Sequence, residues 1–216
     1  MNITRRNMLI LGAAASAGAI SGLSPSFGAE GDVYDVALLM QPDGIADRAI
    51  LGSHDAPVTI VEYAAPTCPH CAAFHTRTYP VFKRDYIETG KVRFILRPFL
   101  LNVLDAVVFM LAYTKKDDAD YLKVIDVFFD RQAEWARSEN PRDAILAVAK
   151  SLGFTEESFN NALTNQELFE GMKKLREQAV TEFGLTGTPT FYINGKMLSG
   201  DKSIEQMAAA IDPLLG

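Results

Sequence analysis

Residues 58–74 read Val-Thr-Ile-Val-Glu-Tyr-Ala-Ala-Pro-Thr-Cys-Pro-His-Cys-Ala-Ala-Phe, and this stretch decides how the rest of the chain is understood. Val58 to Ala64 is apolar on both faces of an extended chain, the pattern of a strand at the centre of a covered sheet. Pro69 suits the first position of a helix, where its missing N–H would be unpaired anyway. The helical pattern runs on through Phe74, Val81, Phe82 and Tyr86 and stops at Gly90, and residues 92–96 form the next strand. Both cysteines therefore fall where a central strand ends and a helix begins. Cys68 is expected in the exposed first turn, with Cys71 about one turn on and drawn beneath the helix. One sulfur should be reachable and its neighbour shielded.

Upstream, residues 36–40 are a short apolar run closed by a turn at Pro42, Asp43 and Gly44. Downstream, residues 105–184 carry helical signals throughout. Asn140 and Pro141 suit a cap and first residue, Thr155 with Glu156 and Glu157 opens another helix, and Asn165 caps a longer one. Leu168, Met172, Leu175, Ala179 and Phe183 lie on one face of that helix and read as core rather than a cofactor box. Thr190 to Ile193 and Lys196 to Ser199 flank Asn194-Gly195, a strong two-residue hairpin signal, and Ser203 can open a last helix through Ile211. The pattern predicts an α/β fold in which residues 30–104 and 185–216 are two halves around a helical insertion at 105–184.

With 216 residues, 48% of them hydrophobic, the chain can enclose a sizeable core. Thr4-Arg5-Arg6-Asn7-Met8-Leu9 reads as a twin-arginine-like export signal, followed by an apolar run at 8–20 too short to span a bilayer. Residues 1–29 are assigned to this signal and the mature chain to the periplasm; a Sec signal carrying two arginines, or an uncleaved anchor, is the competing reading. Losing residues 1–29 removes two positive charges from a chain whose net charge is already −6. Such an acidic surface argues against nucleic acid or anionic lipid as partner.

An exported protein that used disulfides as staples would scatter its cysteines, yet the two present lie three positions apart. As a staple, so small a loop contributes about 2 kcal/mol, less than the ~3 kcal/mol of a fifteen-residue loop. Zinc would find ligand spacing at Cys68 and Cys71 with His70 and His75 nearby, but there is no second Cys pair and only three His, so no metal is expected. Redox chemistry remains, with a Cys68–Cys71 disulfide and no separate cofactor. The helix N-terminus and the His70 imidazole should stabilise a Cys68 thiolate, and this makes the disulfide the stronger oxidant. Glu62, inside an apolar strand, is expected to be buried with a raised pKa and to exchange a proton with Cys71; a sheet-margin carboxylate paired with Lys or Arg is the alternative. His75 is read as a helix-surface histidine without a role, and Trp135 as core.

Cys68-Pro69-His70-Cys71, Glu62 six residues upstream, and Thr188-Pro189 opening the late hairpin together resemble the thioredoxin superfamily, specifically its DsbA-type dithiol oxidases. The likeness covers about residues 33–216. It implies a thioredoxin fold with an inserted α-helical domain, and a cis Pro189 facing the cysteines. Thr188 would pair with an extended substrate segment through its backbone. It further implies a thiol:disulfide oxidoreductase that passes its disulfide to reduced or misfolded exported proteins through a mixed disulfide, re-oxidised by a membrane quinone-linked thiol oxidase. Thr67 stands where an aromatic is usual in such oxidases and Thr188 where Val is usual, and a polar residue beside that proline also resembles isomerases. An isomerase or reductase therefore stays open, as does a non-catalytic metal- or peptide-binding module.

Overall fold

The computed structural model describes residues 28–216; the signal expected at 1–29 lies outside them except for its last two positions. A single helical turn, α1 (Val36–Leu39), is capped by Asp35, whose carboxylate accepts from the Ala37 and Leu38 N–H groups. The apolar run at 36–40 is thus a short helix. Five strands follow, β1 (Ala49–Leu51), β2 (Val58–Ala64), β3 (Val92–Pro98), β4 (Thr190–Ile193) and β5 (Lys196–Ser199), in the spatial order β1-β3-β2-β4-β5. β2 and β3 are parallel, and the other three pairings are antiparallel.

Alternation along β2 sends side chains into two cores. Ile60 and Ala64 join Phe94, Leu96, Phe191 and Ile193 on one face, and Val61 and Tyr63 join Ile95 and Tyr192 on the other. Burial on both faces explains why this strand lacks a polar alternation. A parallel pair needs a crossover, and here it is one long helix: α2 (Pro69–Ala73) and α3 (Tyr79–Phe82), with π-helical stretches at Phe74–Thr78 and Lys83–Ile87. Phe74, Phe82 and Tyr86 bury its inner face.

Between β3 and β4 lie six helices, α4 (Val103–Tyr113), α5 (Asp118–Asp130), α6 (Gln132–Trp135), α7 (Pro141–Ser151), α8 (Glu156–Ala162) and α9 (Gln166–Thr181). This is a thioredoxin fold carrying an inserted α-helical domain. Thr155 and Asn165 cap α8 and α9 through their side chains, as their positions predicted. Asn140 precedes Pro141 as expected, but its side chain bonds to Asp143 instead of the helix backbone. Met172, Leu175, Ala179 and Phe183 are buried as core, and Trp135 donates its indole N–H to the Phe128 carbonyl. Ser203 opens α10 (Ile204–Ile211) with a capping box completed by Gln206. Among the described residues no helix is long and apolar enough to cross a membrane.

The β4–β5 hairpin turns on Asn194 (φ 45°) and Gly195 (φ 85°), both left-handed, as a two-residue turn between twisted strands requires. A Cβ on Gly195 would collide with the Tyr34 carbonyl, so the position admits only glycine. β1, an edge strand of three residues, has no sequence signature of its own. β3 is longer than the apolar run at 92–96, because Arg97 is buried within it. Its guanidinium meets Asp47 at 2.7 and 2.9 Å and the Tyr63 hydroxyl at 3.0 Å. Removing one partner strands a buried charge, so Asp47→Ala should lower the unfolding free energy by about 3–5 kcal/mol in a urea titration.

Candidate active site

Cys68 is the N-cap of α2, with extended backbone (φ −76°, ψ 120°), and Pro69 holds the first helical position. The free N–H groups of the first turn face the sulfur, those of Cys71 and His70 among them. From the other side, the Cys68 thiol donates to the Thr188 carbonyl at 3.2 Å, and the Thr188–Pro189 peptide bond is cis. Both cysteines are free thiols. Cys68 is less accessible than its place in the first turn suggested, at 6% exposed against 0% for Cys71, because the Thr188–Pro189 loop covers it.

The two thiols are driven in opposite directions. Cys68 is lowered to about 5, first by a hydrogen bond from Cys71, then by the side chain of Thr188 and by the backbone N–H groups of Cys71 and His70, all working against burial. Cys71 is pushed well above an ordinary thiol, chiefly by burial, then by Cys68 and by the nearby charge of Glu62. The expected contribution of the His70 imidazole takes another form. Its backbone N–H serves Cys68, while the ring is 68% exposed with Nδ1 3.2 Å from Asp201.

Glu62 is fully buried. Its strand neighbours on the same face are Leu96 and Phe191, so the sheet offers it no polar company. The carboxylate instead shares the Nε2 of His75 between its two oxygens, at 3.0 and 3.2 Å. His75 is therefore buried, contrary to its reading as a surface residue. It follows Cys71 by four positions and so shares the helix face that Cys71 turns inward.

Two further side chains hold the loop that carries Cys68. Asp105, in the first turn of α4, accepts the Thr67 N–H at 2.7 Å and the Leu101 and Asn102 N–H groups at 2.9 Å each. Gln132, in α6, donates to the Pro66 and Cys68 carbonyls at 2.7 and 2.9 Å. Sequence reasoning missed both. Asn102 and Asp105 form a capping box that was available as a signal, whereas nothing near Gln132 in the sequence announces its partners.

A sequence model of the family described as Thioredoxin matches residues 46–213, a span that contains β2, both cysteines and Pro189. The chain belongs to the thioredoxin family. Crystal structures similar to this thioredoxin-family chain include alpha-DsbA1 of Wolbachia pipientis, 27% identical with a TM-score of 0.74 over 82% of this chain and 94% of that one. BdbD from Bacillus subtilis, in its oxidised form, is 20% identical with a TM-score of 0.69 over 87% and 98% of the two chains, a likeness of fold. A putative protein-disulfide oxidoreductase of Rickettsia bellii is 30% identical over 163 residues, 76% of this chain and 62% of its own length.

Because the Cys71 thiol is the largest influence on Cys68, the ionisation of this thioredoxin-family site can be checked directly. Thiolate absorbance of the reduced protein should titrate with a midpoint near 5, and alkylation of Cys68 should be flat above that pH and fall below it. Cys71→Ala, which deletes the donor, should move the midpoint upward toward an ordinary thiol.

Proposed function

We propose that this chain is a thiol:disulfide oxidoreductase that passes the Cys68–Cys71 disulfide to reduced or misfolded exported proteins. The observation that carries this reading is the pair itself, a thiol lowered to about 5 beside one held well above the ordinary range. Stabilising the Cys68 thiolate favours the reduced form, so the disulfide becomes the stronger oxidant, by about 30 mV for each pKa unit below ambient pH.

In the cycle, a substrate thiolate attacks Cys68 Sγ and the bond to Cys71 breaks. The electron pair passes to Cys71 Sγ, which takes up a proton because its buried site disfavours the anion. The substrate is then held on Cys68 until its second thiolate attacks the bonded substrate sulfur. Cys68 leaves as a thiolate and needs no proton, which makes it a good leaving group. Glu62, which lies close enough to Cys71 to influence it, supplies the proton for the first step from its protonated form and is left as the carboxylate. The backbone beside cis-Pro189 offers an extended substrate a strand to pair with, and reads main chain more than side chain. Leu101 and Val103 are exposed on either side of Asn102, whose side chain bonds to Thr67, so the site adjoins apolar surface suited to an unfolded chain.

The names of the curated relatives support the same chemistry, although the chain spans about three fifths of the length of the Rickettsia proteins it matches. Export to the periplasm through the signal at residues 1–29 and re-oxidation by a membrane quinone-linked thiol oxidase complete the proposal. Equilibration with glutathione should place the Cys68–Cys71 couple well above thioredoxin's potential of about −270 mV; a value at or below that overturns the oxidase assignment. Cys71→Ser should accumulate covalent adducts through Cys68 in the exported compartment, visible as bands removed by reductant. An absence of adducts would contradict the cycle.

A further inference from the structure

Each disulfide donated requires one proton at Cys71, and Glu62 can deliver only what it is resupplied with. Its sheet neighbours are apolar, and among the described residues its hydrogen-bond partner is His75 alone. The other ring nitrogen of His75, Nδ1, is buried with no hydrogen-bond partner among the described residues, an arrangement that destabilises a group able to donate or accept. It points toward Asp126 on α5, whose Oδ1 lies 4.0 Å away and whose side chain is 48% exposed. Phe129 stacks on the imidazole at 4.3 Å between ring centroids and holds its plane. Beyond the ring opens a cleft of about 340 Å³, lined also by Tyr79, Lys83 and Asp130 and containing none of Cys68, Thr188 or Pro189.

We infer that His75 and Asp126 form a proton channel that links the buried Glu62 and Cys71 to solvent through a cleft separate from the substrate face. The inference rests on the oxidoreductase reading above. An imidazole takes a proton at one nitrogen and releases another from the opposite nitrogen without moving. When the Cys68–Cys71 bond breaks, the Cys71 thiolate takes the proton of Glu62, His75 Nε2 returns one to the carboxylate, and Nδ1 takes one from Asp126 or from water beside it. Re-oxidation of the dithiol runs the same transfers outward. The 4.0 Å gap is closed by a turn of the Asp126 side chain or by one bridging water.

The groups around the imidazole suit this traffic. Glu62 faces it from β2, Asp126 and Asp130 from α5, and Lys83 and Tyr79 from its own helix. Partial burial holds the Asp126 carboxyl above its usual range against the pull of His75 and Lys83. His75 and Asp126 are positioning residues, acting through Glu62.

The test is single-turnover oxidation of a reduced dithiol peptide by the oxidised chain, followed by thiol trapping across the neutral pH range. Asp126→Ala should slow the transfer about tenfold, less than the roughly 10²–10⁴ typical of a direct proton donor. Added formate or imidazole, small enough for the cleft, should restore the rate. His75→Gln keeps an N–H for Glu62 but cannot relay, and should show the same loss with a flattened pH profile. If Asp126→Ala and His75→Gln keep the wild-type rate and profile, or if the loss resists every added buffer, the channel does not exist. If the wild-type chain itself leaves the peptide reduced, the oxidoreductase reading fails instead.

Discussion

Two sulfur atoms less than one helical turn apart are held here in opposite surroundings, and the site depends on that opposition. Cys68 stands at the open end of α2, where unpaired N–H groups and the Cys71 thiol favour an anion. Cys71 lies under the first turn, against the sheet, where charge is penalised. Helix geometry enforces the difference, because position N-cap must look out of the helix end while a residue three further on can look inward. The strand-to-helix junction after β2 is what brings this geometry to the middle of the molecule rather than its edge.

The rest of the fold keeps that junction rigid. β2 is central, so the residues leading into the cysteines are paired on both sides, with β3 and with β4. β4 is also the strand that Pro189 introduces, so the loop facing Cys68 and the loop carrying it hang from adjacent strands. The buried Arg97 and Asp47 pair ties β3 to the segment before β1, and Tyr63 joins it from β2. Polar groups inside the sheet are thus few, and each is matched to a partner.

Most of this frame was readable from residues alone. Val58 to Ala64, the Asn194-Gly195 hairpin and the caps at Thr155, Asn165 and Ser203 are local signals, and their physical causes act within a few positions. What escaped reading depends on distant contacts. β1 is too short to have a period, Arg97 is polar yet buried because Asp47 meets it, and Cys68 is covered by a loop 120 residues away. The direction of the His70 ring depends on Asp201. His75 is the instructive exception, since its four-residue spacing from a buried Cys71 already placed it on the inner face.

The two bonds from Gln132 to the carbonyls of Pro66 and Cys68 tie the helical insertion to the loop that carries Cys68. Were the insertion to hinge away, two carbonyls beside the Cys68 sulfur would lose their donors together. In architectural language the inserted helices are a buttress more than a door. Exchange of this lobe between relatives should therefore disturb the cysteine pair even where every residue of the pair is kept.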